Sequence, residues 1–197
     1  MNQLDRDKIT KEEINLIAPC GIYCGACDPF LGRSRELARE LARELYRIID
    51  GFNIRDVAPI VLGLEQEKMK DFLTILKQLG EARKCPGCLA GGGNPGCPMK
   101  TCTGEKGYLT CAECDRLPCS ADETEKGGDP MSAPAILQMI TKRYAGWNLE
   151  NLKRIQEMGY RKFIDEMQAK VKKGFLTSDV ISDEMVVTEF LDTLTNR

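Results

Sequence analysis

The feature that most restricts the fold of this 197-residue chain is a set of ten cysteines in a sequence without histidine. The cysteines fall in three clusters, namely Cys20, Cys24 and Cys27, then Cys85, Cys88, Cys97 and Cys102, and finally Cys111, Cys114 and Cys119. Clustered thiolates are typical metal ligands. The absence of histidine excludes mixed Cys–His zinc sites and Cys–His nucleophilic pairs. We therefore expect the ten cysteines to be metal ligands, with zinc as the favoured metal.

Beyond the first cluster, two cysteine pairs have the C-x2-C spacing, in which a short turn lets both sulfurs reach one ion. Cys85 and Cys88 enclose Pro-Gly. Cys111 and Cys114 enclose Ala-Glu, and 22 residues separate the two pairs. This arrangement is typical of a zinc ribbon, with a slightly longer interval than usual. Ten thiolates also suffice for two four-thiolate sites with two cysteines left over, and the first cluster can share a site with later cysteines. The sequence leaves this partition open.

Disulfide bonds are the alternative use of so many cysteines. Disulfide-dense domains are usually small, secreted and poor in hydrophobic core. Here 42% of the residues are hydrophobic, enough for a core, and the N-terminal MNQLDRDKIT contains no apolar signal segment. The longest apolar runs, such as residues 60–62, are too short to span a bilayer. We therefore expect metal-bound cysteines in a cytoplasmic protein that does not enter the membrane.

The charge balance limits the choice of partners. The formal net charge is -2, so the chain as a whole has no electrostatic attraction for nucleic acid. An unknown protein or a small molecule is the expected partner. The sequence contains no identifiable catalytic constellation, so enzymatic activity stays an open question.

The first cluster allows a second interpretation. Its C-x3-C-x2-C spacing resembles the motif with which radical S-adenosylmethionine enzymes hold a [4Fe-4S] cluster. However, Ala26 stands where those enzymes carry an aromatic residue, and repeated strand–helix units are not evident. The alternative to a zinc protein is therefore an iron–sulfur or thiol redox enzyme that uses Cys20, Cys24 and Cys27.

Outside the clusters the sequence predicts a mainly α-helical protein, in which a helical body carries a loop-rich, cysteine-rich metal-binding knob. The knob covers about residues 82–130, where glycine, proline and cysteine replace helical periodicity. We expect residues 1–175 to form a single cysteine-rich helical domain and residues 176–197 a C-terminal helical extension. Helix ends are expected at Gly80 and Gly159, because glycine caps helix C-termini well.

Some individual side chains also carry predictions. Leu37 and Leu41 belong to an apolar stripe on a helix predicted over residues 34–50. Asn148 is expected to cap the start of a helix. Trp147, the single tryptophan, is expected to pack between helices.

The combined cysteine pattern resembles that of a known family. The residues that carry the resemblance are Ala18-Pro19-Cys20-Gly21, Cys24, Cys27, Cys85-Pro86-Gly87-Cys88, Cys97, Cys102, Cys111, Cys114 and Leu117-Pro118-Cys119. Their spacing is similar to that of the cysteine-rich prokaryotic proteins grouped as domain of unknown function 3795, over about residues 14–175. The resemblance implies metal binding by the cysteines and names no activity or substrate.

Overall fold

A computed structural model describes residues 4–48, 54–119 and 129–182 of the chain. These residues are mainly helical, as predicted, and the strand-like pairing among them is a one-residue antiparallel bridge between Ile17 and Tyr23. The α-helices are α1 (Lys11–Ile14), α2 (Asp28–Leu31), α3 (Arg33–Ile48), α4 (Ile54–Val61), α5 (Gln66–Glu81), α6 (Pro98–Glu105), α7 (Ala133–Arg143) and α8 (Trp147–Lys172). Most of the C-terminal helical extension predicted over residues 176–197 lies outside the described residues, which end at Ser182.

The chain divides into two compact units. One consists of Met1–Phe30 and Cys85–Arg197, and the other of Leu31–Lys84. All ten cysteines belong to the first unit, which we call the cysteine unit. The domain boundary expected at residue 175 stays a prediction. No helix in the described part of the chain is long and apolar enough to cross a membrane.

Helix α8 forms the centre of the cysteine unit. Its inward side chains are almost completely buried, among them Leu152, Ile155 and Phe163. The helix changes direction at Gly159, whose backbone leaves helical values with φ 79° and ψ 169°. The sequence-based expectation of a helix end at Gly159 is therefore confirmed. Trp147 is buried against two other aromatic rings, so its predicted packing role is confirmed as well.

The unit formed by residues 31–84 is built on the packing of α3 against α5. The buried residues Ala38, Leu76 and Gly80 lie in these two helices. The sequence predicted a helix end at Gly80, but α5 continues to Glu81. Gly80 has a different role, because the missing side chain lets the Arg39 Nε donate to the Gly80 carbonyl at 2.7 Å. A glycine chosen for close approach and a glycine chosen as a cap look alike in sequence.

Candidate metal centre

Three of the cysteine motifs contain a short 3-10 turn that begins at a cysteine, namely Cys24–Ala26, Cys88–Ala90 and Cys111–Glu113. In the first, the amide of Cys27 donates to the carbonyl of Cys24 at 2.9 Å. In the last, the amide of Cys114 donates to the carbonyl of Cys111 at 3.1 Å. Side chains at positions i and i+3 of a 3-10 turn lie above one another. Both thiols of these C-x2-C motifs therefore lie on the same side of their turn.

The first thiol group joins residues that are far apart in sequence. Cys24 lies next to Cys88, close enough for the side chain and the backbone of Cys88 to affect the pKa of Cys24. Cys27 lies near Cys85 and Cys88, close enough for their charges to affect its pKa. The chain geometry explains this proximity, because the Cys85 amide donates to the carbonyl of Pro29 at 2.9 Å.

The electrostatics of the Cys24–Cys88 pair are asymmetric. The interaction between the two side chains raises the pKa of Cys24 and lowers the pKa of Cys88. Lys100 lowers the pKa of Cys88 further by its positive charge. Cys88 is thus the member of the pair that more readily carries the negative charge.

Cys20 and Cys97 adjoin the first group. Burial raises the pKa of Cys20 to about 12, and the nearby charges of Cys88 and Cys97 contribute to the increase. The amide of Ile22 opposes this effect by donating to the Cys20 sulfur. The first thiol group is therefore composed of Cys20, Cys24, Cys27, Cys85, Cys88 and Cys97.

The second thiol group lies around the turn at Cys111. Burial raises the pKa of Cys111 most, followed by the charges of Cys119, Cys20, Cys102 and Cys114. The pKa of Cys119 is likewise raised by burial and then by Cys114 and Cys102. The second thiol group consists of Cys102, Cys111, Cys114 and Cys119. Cys20, a member of the first group, is also close enough for its charge to affect the pKa of Cys111. A backbone hydrogen bond links the loops that carry the two groups, because the Cys111 amide donates to the carbonyl of Pro19 at 2.9 Å.

This grouping differs from a zinc ribbon made of the two C-x2-C pairs. Cys88 is paired with Cys24 of the first cluster, and the charges that act on Cys111 come mainly from its own neighbours. The structure therefore places cysteines of the first cluster next to the Cys85–Cys88 pair, one of the groupings that the sequence left open.

The cysteines fit a thiophilic metal in donor type and in number, but not in their present positions. All ten cysteines, each within the described residues, are thiols without a disulfide partner. Among the same residues, no three Cys, Asp or Glu side chains already stand close enough to hold a metal ion. To bind one ion, the sulfurs of either group must therefore move towards a common point.

The buried side of α8 positions the first cluster. Gly21 has a φ of +89° and packs so closely that a Cβ atom there would lie 2.2 Å from the Asn148 carbonyl oxygen. The Asn148 amide donates to the carbonyl of Cys20 at 3.1 Å, and the Asn151 amide donates to the carbonyl of Gly21 at 2.9 Å. The sequence predicted Asn148 as a helix cap. It lies instead inside α8, fully buried, because its side chain bonds the cysteine loop.

The carboxylate of Glu113, between Cys111 and Cys114, anchors the turn that these cysteines form. The Glu113 Oε1 accepts hydrogen bonds from the Tyr160 hydroxyl at 2.6 Å and from the Arg6 Nε at 2.9 Å. The Tyr160 oxygen also lies 2.9 Å from the hydroxyl of Thr110. Burial raises the pKa of Tyr160, so its hydroxyl stays protonated as a donor. Sequence reasoning did not identify this network, although an acidic residue between two cysteines was its visible signal.

A cavity of about 410 Å³ lies beside the second group. Its lining includes Cys114, Glu113 and Lys106, and the Lys106 Nζ lies 3.9 Å from the Cys114 Sγ.

Comparison with known families bears on the whole cysteine set. The profile of the family described as "Protein of unknown function (DUF3795)" matches residues 16–124. The chain belongs to this family. All ten cysteines of this family member fall within the matched residues, so both thiol groups do as well. No curated protein and no solved structure matches the chain.

The α8 side chains that bond to the cysteine loops lie outside the region that matches the family. Asn148, Asn151 and Tyr160 lie beyond residue 124, outside the matched region. They nevertheless hold the backbone of Cys20 and the turn at Cys111 from the other side. The cysteine loops of this family member therefore depend on a helix that the cysteine pattern does not include.

Proposed function

We propose that the protein binds metal ions, zinc above other metals, through its two thiol groups, and that it acts as a structural or interaction module. One four-thiolate site would use the quartet Cys24, Cys27, Cys85 and Cys88, and the other the quartet Cys102, Cys111, Cys114 and Cys119. Structural zinc sites use four such ligands, so two quartets account for eight of the ten cysteines. Cys20 and Cys97 remain beside the first quartet.

The observation that carries the proposal is the pairing of Cys24 with Cys88. Two cysteines from separate clusters lie close enough for each to shift the pKa of the other. Hydrophobic packing alone does not require two such loops to meet at their sulfurs. A shared ion does require it, because tetrahedral ligation needs sulfurs from both C-x2-C motifs at one point.

Backbone donors support the proposal independently. The amide of Ile22 donates to the Cys20 sulfur, the amide of Phe30 to Cys27, and the amide of Cys88 to Cys24. A hydrogen bond donated to sulfur stabilises the thiolate, which is the form that binds metal. The loops thus supply the electrostatic environment that metal ligands need.

Neighbouring thiolates would repel one another in such a buried group. The charges of adjacent cysteines raise the pKa of Cys27, Cys111 and Cys119 beyond the effect of burial. A bound divalent cation would offset this repulsion and supply the folding free energy that loop-rich segments lack.

The first quartet also has a clear structural role. Cys27 precedes residues 31–84 and Cys85 follows them, and the bond between Pro29 and Cys85 already brings these chain ends together. Shared ligation by Cys27 and Cys85 would fix both ends at one point. The function would then be to hold the connections of the cysteine unit in place.

Metal analysis of the freshly purified protein, combined with an absorbance spectrum, tests the proposal. We expect zinc at about two ions per chain and no visible chromophore. Cys24→Ser and Cys111→Ser should each lose about one ion, whereas Cys97→Ser, the matched control outside both quartets, should keep two. Chelation should expose the thiols to iodoacetamide and unfold the loops. Metal-free protein, or retention of both ions in the first two variants, would contradict the proposal.

An iron–sulfur site is the second candidate, and one observation favours it. Cys20 affects the pKa of Cys24 by its charge, so members of the C-x3-C-x2-C motif face one another in the first group. Iron in place of zinc, with a broad absorbance band near about 400 nm that disappears in Cys20→Ser, would support this alternative and its redox role.

A further inference from the structure

The unit formed by residues 31–84 exposes an unusual amount of apolar side chain. The exposed fractions are 60% for Leu37, 45% for Leu41, 41% for Phe72, 56% for Ile75 and 48% for Leu79. We call these five side chains the apolar face. Extended apolar surfaces on soluble proteins usually mark a binding site.

Antiparallel packing places the two halves of this face on the same side. Arg39, in the first half of α3, bonds to Gly80, in the last turn of α5. Arg43, further along α3, lines the same groove as Lys77, which lies earlier in α5, so the two helices run in opposite directions. Successive residues of a helix are rotated by 100° about its axis, so the residue before an inward-facing one points to one side of the helix. In two antiparallel helices that face each other, these preceding residues lie on the same flank of the pair. Leu37 precedes the buried Ala38, and Ile75 precedes the buried Leu76.

The remaining members of the face follow the same rule, and the opposite flank confirms it. Leu79 directly precedes the buried Gly80. The residues that directly follow inward-facing ones include Arg39, Arg43 and Lys77, and they line one groove of about 810 Å³ between α3 and α5. The helix pair therefore has a basic flank and, opposite to it, an apolar flank.

The size of the apolar face can be compared with the requirement of a stable dimer. Five large side chains exposed by about half present on the order of 500 Å² of apolar surface. A standard interface buries about 800 Å² per partner, and about 65% of a homodimer interface is apolar. The apolar area of the face is thus about the same as the apolar area that one subunit of a homodimer buries.

We propose that the apolar face binds the same face of a second copy of this chain. Two antiparallel helix pairs that stack in this way form a four-helix bundle, in which each apolar stripe is covered by another helical layer. A two-fold axis makes the contact self-complementary, so it needs no charged partner surface. The proposal concerns residues 31–84 alone and does not depend on metal binding by the cysteines.

Sedimentation equilibrium of the full-length protein, in reducing buffer from about 1 to 100 μM, tests the proposal. We expect a monomer–dimer equilibrium for the wild type. Ile75→Glu and Leu41→Glu place a charge in the interface twice, once per copy, and should weaken dimerisation at least about 100-fold. Thr74→Glu is the matched control, because Thr74 is exposed on α5 but lines the basic groove. It should leave the equilibrium unchanged.

Each outcome of this experiment decides for or against the second copy. A wild type that stays monomeric at 100 μM overturns the proposal and leaves a different protein as the occupant. A dimer that survives both glutamate variants, or that Thr74→Glu disrupts equally, places the interface elsewhere. Hydrogen exchange on the wild type adds a test without mutation: amide protection in α3 and α5 should rise with protein concentration across the dimerisation range, and unchanged protection would contradict the proposal.

Discussion

Replacing Gly21 with alanine is the sharpest test of how α8 positions the first cysteine cluster. The new Cβ would lie 2.2 Å from the Asn148 carbonyl oxygen and 2.7 Å from the Leu152 Cγ. The first of these atoms belongs to the backbone of a buried helix, so it cannot move without displacing α8. The loop that carries Cys20 must move instead.

Two costs determine the magnitude. A side chain at a φ of +89° costs about 1–2 kcal/mol, because the left-handed region disfavours residues with a Cβ atom. Forcing a methyl group into a packed core costs about 1–3 kcal/mol more. We therefore expect the free energy of unfolding to fall by about 2–5 kcal/mol. For a chain of this size each kcal/mol lowers the melting temperature by about 2–4 °C.

Thermal and urea unfolding, followed by circular dichroism, measure this effect. Gly104→Ala is the matched control, because Gly104 lies in α6 without a positive φ, and a Cβ atom added there would meet no other atom within 4 Å. Alanine there should be neutral or stabilise the protein by up to about 1 kcal/mol. If Gly21→Ala unfolds within about 0.5 kcal/mol of the wild type, the close packing of this loop on α8 is refuted.

Two further substitutions test other anchors of the cysteine unit. Tyr160→Phe removes hydrogen bonds to Glu113 and Thr110 inside the protein, so the free energy of unfolding in urea should fall by about 1–3 kcal/mol; an unchanged value would contradict the network. The hydrogen bond from Arg161 holds the pKa of Glu13 below its usual value of 4.5. Its stabilising contribution is therefore present above that value and lost as the pH falls through the lowered pKa. The stability difference between wild type and Glu13→Gln should shrink in acid, and a difference constant from pH 6 to 3 would refute this assignment.

The helical class could be predicted because it depends on local pattern, and the assignment of the ten cysteines as metal ligands stays a prediction. The break at Gly159 follows from one residue that readily leaves helical geometry, and the ten cysteines are visible by their spacing. Which cysteine pairs lie next to each other could not be predicted in this way. Spacing tells which thiols share a turn, but the contact of Cys24 with Cys88 depends on how two remote loops pack.

The errors at the level of single residues have a common cause. Asn148 has the residue type of a cap, and Gly80 has that of a helix end, yet both are used for a tertiary contact inside a helix. In each case a backbone carbonyl accepts a hydrogen bond from a distant side chain, and this tertiary contact outweighs the local preference for a helix end. The stripe with Leu37 and Leu41 was found at the predicted spacing, but α3 packs through the small Ala38 and leaves the leucines exposed.

The hydrogen bond between the Cys85 amide and the Pro29 carbonyl has a consequence for how this chain can be lengthened or shortened. Since the chain leaves and rejoins the cysteine unit at neighbouring points, residues 31–84 form a cassette that a short Gly-Ser turn can replace. A chain without this cassette should therefore keep the Cys85 amide next to the Pro29 carbonyl and its ten cysteines in register.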